Sequence, residues 1–470
     1  MDNMAFKREK GISRPPFLLM VYFFGFVFLL LKMNKRCAEY VPELCLLFFS
    51  YLLIGAILAL LCFFRGLDIF EPFVLSTVLM VAIFLVMPIL DITNGDTRAF
   101  GVNIMPYCLE GTIIFDISYI AFCLGYFKKR KVSKPRGDNL ACGENSRQII
   151  VLVTLLFYAV SYIFSLIDQI THGINWEYIL SFGSTGLVGG DTVGQPLGFM
   201  GLFANSLLSC WLIYLFYGKS TLLKVILGVL TFAMYFVRTA RHIMIDMIVA
   251  PIVMFYLSRD KRPAAILIVI ALLLVVIGSG IISFIRGSVR NGWGVSLDNF
   301  AAEDIFENLI FNLQIYKSYY GVLRAFTEKM DYTYGMQILY TFIMIVPRII
   351  WPGKPESYQA QIIGNGLNHK AVVTGYAFPN LGEFYGEFGI IGAIVGYLLF
   401  GMLLGRWKTM YAQESSTKVS MLKYSILLPV CLQLIIRGAI YQNFYLIIFL
   451  MLPFWVVDIA CTLLQKRRFK

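Results

Sequence analysis

Charge is scarce in this chain. Only 14% of its 470 residues are charged, against 59% apolar and 16% aromatic, whereas soluble domains are about one quarter charged. That shortage excludes a string of ordinary soluble domains. The nine cysteines include no CxxC pair and no Cys/His ligand spacing, and most sit inside apolar runs. They read as small core residues, neither a disulfide framework nor a metal centre. No small-residue cleavage site follows the first apolar run near 17–31, so that run reads as a span and not a removable leader. No internal repeat is visible, direct or inverted, which argues against a transporter built from matched halves. The net charge of +12 lies mostly in short loops between apolar runs. There it orients a protein in a membrane, and it gives no nucleic-acid footprint.

What the chain does have is apolar runs of about 20 residues along its whole length, the length that crosses a bilayer as a helix. The runs are solid and not alternating, so helices and not barrel strands satisfy their backbones in lipid. The expected fold is an all-α polytopic membrane protein of about twelve spans. They lie near 16–32, 44–64, 72–91, 104–127, 148–170, 197–217, 221–237, 242–258, 263–285, 388–406, 424–441 and 444–464. Residues 222–257 are too long for one crossing and are broken only at 238–242, which predicts a tight helical hairpin there.

Placing both termini in the cytoplasm puts most Lys and Arg on that side. The short loop holding Lys32, Lys35 and Arg36 runs against the bias. The chain then divides into spans one to nine (1–285), one large extracytoplasmic loop with short helices (286–387), and three closing spans (388–470). Within the loop, 336–350 is apolar but too short to cross comfortably, and Pro347 interrupts it. A crossing there would invert every later basic loop, so it reads as a re-entrant or surface-lying helix. Ile305, Leu309, Leu313 and Tyr316 fall at helical spacing and predict an amphipathic helix within 298–329.

The region 346–405 is where function is sought. It is the least membrane-like stretch, rich in turn residues and aromatics, and it runs back into a span. Arginines gather at the expected outer ends of spans: Arg238 and Arg241 at the hairpin, Arg286 and Arg290 after the ninth span, Arg348 beside Trp351, and Arg437 near the end of the eleventh. A guanidinium is permanently charged and its planar fork suits phosphate oxygens. Each could equally snorkel to the interface or pair with an acid. Arg238, His242 and Asp246 fall at four-residue spacing, which also suits a structural His–Asp pair.

Glu383 and Glu387 sit four apart at the mouth of the tenth span. Either could take or orient a hydroxyl proton, or simply favour a helix start. His369 titrates near neutrality and could act as a base, or be a solvated loop histidine. Trp351, Tyr358, Tyr376, Phe378, Phe384 and Tyr385 suit sugar stacking or interface anchoring alike. The recurring glycines from 382 to 405 let the tenth helix pack closely. Asp116 lies in mid-span, a costly place for a carboxylate and the best argument for ion coupling.

At Pro347-Arg348, Trp351-Pro352, Lys354-Pro355 and Gly382-Glu383-Phe384-Tyr385, continued by Phe388-Gly389 and Gly392, the sequence resembles the Wzy-type repeat-unit polymerases of O-antigen and capsule assembly. Many spans with one large outer loop near the C-terminus fit as well. The resemblance implies a GT-C-like glycosyltransferase of the bacterial inner membrane, working on the periplasmic face. It would move a glycan from one undecaprenyl pyrophosphate to the non-reducing end of the next lipid-linked repeat unit. Metal and cofactor are not expected, and the loop carries no DxD motif. By the same analogy Arg238, Arg241, Arg286, Arg290, Arg348 and Arg437 grip pyrophosphate, and Glu383 or His369 handles the acceptor hydroxyl. Expected partners are the lipid-linked oligosaccharide, membrane lipid and a protein that sets chain length. An O-antigen ligase shares architecture and donor, and a flippase of the same pathway would couple through Asp116.

Overall fold

The computed structural model describes residues 15–65, 67, 70–99, 101–128, 144–171, 199–237, 241–259, 313–343, 346, 351–353, 362, 378–412, 418–438 and 440–468. Among them, eight helices are long and apolar enough to cross a membrane. They are Cys37–Leu61, Pro72–Asn94, Met105–Phe127, Arg147–Thr171, Met200–Tyr217, Asn380–Thr409, Val419–Ile436 and Ile440–Leu463. Shorter apolar helices at Met20–Leu31, Thr221–Val237 and Ile243–Ser258 fall on the first, seventh and eighth expected spans. The expected span 263–285 lies outside the described residues. The protein is an all-α, multi-pass membrane protein. A minimal hairpin pairs Arg98–Ala99 with Val102–Asn103 across Gly101, whose φ of 76° a glycine adopts without strain.

Exposure follows the bilayer and not water. Leu222, Val225, Ile226, Val229 and Phe232 are all exposed along one face of the 221–237 helix. Ile113, Ile117, Ile120 and Leu124 form a similar outward stripe on the 108–127 helix. These recur at the helical period but point away from the protein, as lipid-facing stripes do. The opposite face of the 108–127 helix packs closely against the 380–412 helix. A Cβ built on Gly125 would run into the Leu398 carbonyl, and one on Gly401 into the Phe122 carbonyl. Two glycines therefore bring two backbones together, the arrangement that lets helices associate where burial from water offers no drive.

Hydrogen bonds identify two ends of the bundle. At one end Lys408 Nζ lies 2.9 Å from Glu71 Oε2, and the Tyr424 hydroxyl donates to the Phe70 carbonyl. At the other end the segment after residue 312 folds back into the bundle. The Ile315–Glu328 helix buries Tyr316, Tyr319, Tyr320, Leu323 and Phe326, so the expected amphipathic helix is present and its apolar face is inside. Ile305 and Leu309 lie outside the described residues. Lys317 Nζ reaches Asp91 at 3.1 Å and Asp96 at 2.5 Å, while Gln314 and Tyr316 also donate to the fully buried Asp91. Removing one partner of a buried ion pair typically costs about 3–5 kcal/mol. Lys317→Met is therefore expected to lower the melting temperature of the detergent-solubilised protein clearly. Adding Asp91→Asn should restore part of the loss; if the double variant is simply additive, the pair is not what anchors this helix.

The Met336–Ile343 helix is the short element expected within 336–350. It exposes Ile338, Leu339 and Phe342 and buries Gln337 and Thr341. That polarity is the reverse of a soluble surface helix and fits an element lying in or at the lipid. Two expected boundaries shift. The tenth span begins at Asn380, not 388, and what falls at 388 is a kink, with Phe388 at φ −142° and Gly389 at φ 63°. The eleventh helix stops at Ile436, not 441, and the next opens at Ile440. Hydropathy alone could not show that stop, since apolar residues continue on both sides.

Candidate functional site

The 380–387 turn is the knot of this end of the molecule. Glu383 and Glu387 are only 1% and 3% exposed. Their four-residue spacing puts both carboxylates on one helical face, and each turns to a different helix. Glu383 accepts the backbone N–H of Ile440 through both oxygens, at 3.2 Å each. Ile440 opens the 440–468 helix, whose first amides have no partners within the helix. Glu387 accepts the N–H of Gln337 at 3.1 Å and that of Gly335, at the start of the 336–343 helix. A carboxylate suits a helix N-terminus by hydrogen bonding and by the dipole. Both glutamates therefore cap, but they cap helices 57 and 50 residues away and not their own.

Backbone hydrogen bonds tighten the same junction. Thr333 and Tyr334 N–H donate to the carbonyls of Gly386 and Glu387 at 2.9 and 3.0 Å. This clamp holds Tyr334 at φ 46°, a left-handed conformation uncommon for a bulky residue. The two capped helices also touch each other. The Tyr445 hydroxyl donates to the Thr341 carbonyl at 2.7 Å, and the Tyr340 and Tyr441 rings meet edge-on at 5.2 Å.

Arg437 stands in the break between the 418–436 and 440–468 helices. Its backbone N–H donates to Gln433 O at 2.8 Å, and Asn443 Nδ2 donates to the carbonyls of Arg437 and Gly438 at 2.6 and 2.7 Å. Gly438 N–H donates to Phe378 O at 2.7 Å. The Arg437 side chain keeps an exposed surface, yet the surrounding protein depresses its pKa by desolvation. Among the described residues no carboxylate pairs with it within 4 Å. Its charge persists, since a guanidinium remains protonated far above neutrality. A permanent cation with no carboxylate partner among the described residues can hold an anion.

The structure brings Glu383 and Arg437 to one junction. Arg238, Arg286, Arg290, Arg348 and His369 lie outside the described residues. Arg241 opens the 241–258 helix, and its side chain and that of His242 are likewise outside, so the convergence of arginines and the His242–Asp246 pair both remain proposals. Phe378 and Tyr385 are 1% and 3% exposed, which makes them core and not sugar-stacking faces. Trp351 is exposed; Tyr358 and Tyr376 are outside the described residues. Asp116 accepts the Ser50 hydroxyl at 2.5 Å, and its other oxygen has no partner among the described residues. Asn443 was not among the expected site residues, and Gly438 figured only as the residue after Arg437. The signal for Asn443 was an amide at the edge of an apolar run; Gly438 gave none beyond its place after an arginine.

A family model described as O-antigen polysaccharide polymerase Wzy matches residues 17–467. No curated protein and no solved structure matches the chain.

Proposed function

We propose, from the premise that this chain belongs to the O-antigen polysaccharide polymerase Wzy family, that it joins undecaprenyl-pyrophosphate-linked repeat units on the periplasmic face of the inner membrane. Family membership gives an O-antigen repeat-unit polymerase acting on a lipid-linked oligosaccharide. The carrier, the membrane face and the direction of growth are the parts inferred here. The glycan leaves one lipid pyrophosphate and is taken by the non-reducing end of the next repeat unit. The leaving group is a diphosphate, so the site must hold negative charge that builds as the glycosidic bond breaks.

The observation that carries this reading is Arg437, an exposed guanidinium with no ion-pair partner among the described residues, at the end where the 313–343 segment packs into the bundle. Arg238, Arg241, Arg286, Arg290 and Arg348 are assigned to the same diphosphates by their expected positions at that end. Of the two residues expected to handle the acceptor hydroxyl, Glu383 and His369, the role is kept here for His369. The Lys/Arg bias supports cytoplasmic termini, about twelve spans and the periplasmic side for this end. A GT-C-like, metal-independent transfer and a chain-length-setting partner belong to the same reading.

Deleting the gene and running the surface glycan on a gel tests it. A polymerase predicts lipid cores bearing a single repeat. Unmodified cores with accumulating lipid-linked polymer would instead indicate a ligase. Complete loss of the repeat from the surface, with build-up in the cytoplasm, would indicate a flippase.

A further inference from the structure

We infer that Glu383 is a positioning residue for Arg437, working through the Ile440 amide and the Gly438 backbone, and does not take the acceptor proton. The inference rests on the polymerase reading for its activity arm. Both oxygens of the Glu383 carboxylate are spent on one backbone N–H, at 3.2 Å. The side chain is 1% exposed, so no open face is left toward a sugar. Arg437 and Gly438 form the turn just before the amide that Glu383 holds. Gly438 has no side chain because there is no room for one: a Cβ would collide with Glu383 Oε2 and press on the Asn380 backbone.

The turn is fixed from every side. Phe378 O takes the Gly438 N–H, Asn443 takes both carbonyls, and Gln433 Nε2 lies 3.4 Å from Asn443 Oδ1. Asn380, whose Oδ1 accepts the Tyr397 hydroxyl at 3.1 Å, seats the start of the Glu383 helix. The carboxylate thus sits within a frame of backbone bonds, and the exposed side chain that this frame carries is Arg437. An arginine on an unsupported turn would sample many directions. One held at the start of a capped helix presents its fork in a fixed place, which is what recognition of a diphosphate requires.

The test uses the full-length protein in membrane vesicles with its lipid-linked repeat unit. Glu383→Gln keeps an oxygen that can accept the Ile440 N–H, whereas Glu383→Ala does not. Gly438→Ala pushes the turn from the other side. The Gln variant is expected to retain activity within about tenfold of wild type, and the two Ala variants to lose about a hundredfold. Glu383→Ala combined with Gly438→Ala should be no worse than either alone, because both break one unit. The pH–rate profile of the Gln variant should keep the low-pH limb of wild type. A Gln variant as inactive as Ala, or one whose low-pH limb vanishes, would make Glu383 the base and overturn the inference.

Amide exchange over residues 436–443 supplies the arm that needs no activity. The Ile440 amide should stay protected in the Gln variant and exchange faster in both Ala variants. Unchanged exchange in Glu383→Ala would sink the clamp whatever the kinetics show. Wild-type vesicles that fail to polymerise would remove the family-based reading and the Arg437 role together, leaving exchange to decide the clamp alone.

Discussion

Arg437→Ala is expected to abolish long glycan chains while leaving the amount of protein in the membrane unchanged. The side chain keeps an exposed surface, and among the described residues it carries no ion pair. Truncating it therefore strips no carboxylate of a partner and opens no hole in the core. What it removes is a fixed positive charge where a diphosphate would gather electrons. Loss of one well-placed charge or donor of that kind costs about 10²–10³ in rate. A processive polymerase slowed that much should show single-repeat caps and few long chains on a gel. Arg437→Lys keeps the charge but loses the planar fork, so it should recover part of the chain length. Wild-type chains in Arg437→Ala, at equal protein level, would detach this guanidinium from the reaction. A matching loss of protein would instead make Arg437 a folding residue.

The second large effect is on assembly. Gly401→Val is expected to remove most of the folded protein, measured as the monodisperse fraction after detergent extraction. At Gly401 the added side chain meets the Phe122 carbonyl, and at Gly125 it meets that of Leu398. These obstacles are backbone atoms of a neighbouring helix and cannot rotate away. Ordinary overpacking against side chains costs about 1–3 kcal/mol, and this site has less freedom to yield. Gly125→Val should reproduce the defect, because each glycine serves the approach of the other helix. Leu399→Ala, on a side chain 57% exposed toward lipid, is the control and should extract normally. Normal extraction of Gly401→Val would mean that the two helices do not approach as closely as the fold requires.

The two predictions differ in how far the sequence pointed to them. Arg437 could be picked out as a cation at odds with its apolar surroundings, but it was placed inside a span. The structure moves it into a break, because Gly438 and Asn443 turn the chain and satisfy the carbonyls there. The glycines of the tenth helix were legible as a packing face. Which of them meets a backbone, and on which helix, was not. Glu383 and Glu387 were legible as a pair on one helical face near a helix start. Their amide partners belong to elements that no local pattern connects to them.

The one-dimensional pattern of this chain determined its class. A bilayer demands about 20 apolar residues per helical crossing, and no soluble fold wants so many such runs. It also marked 336–350 as a short helical element, through the length of that run, and the structure has a helix at Met336–Ile343. Tertiary structure decided what the buried acids do. A carboxylate away from water takes whichever donor packing brings within about 3 Å, and for Glu383 and Glu387 that donor is the amide of a helix distant in sequence.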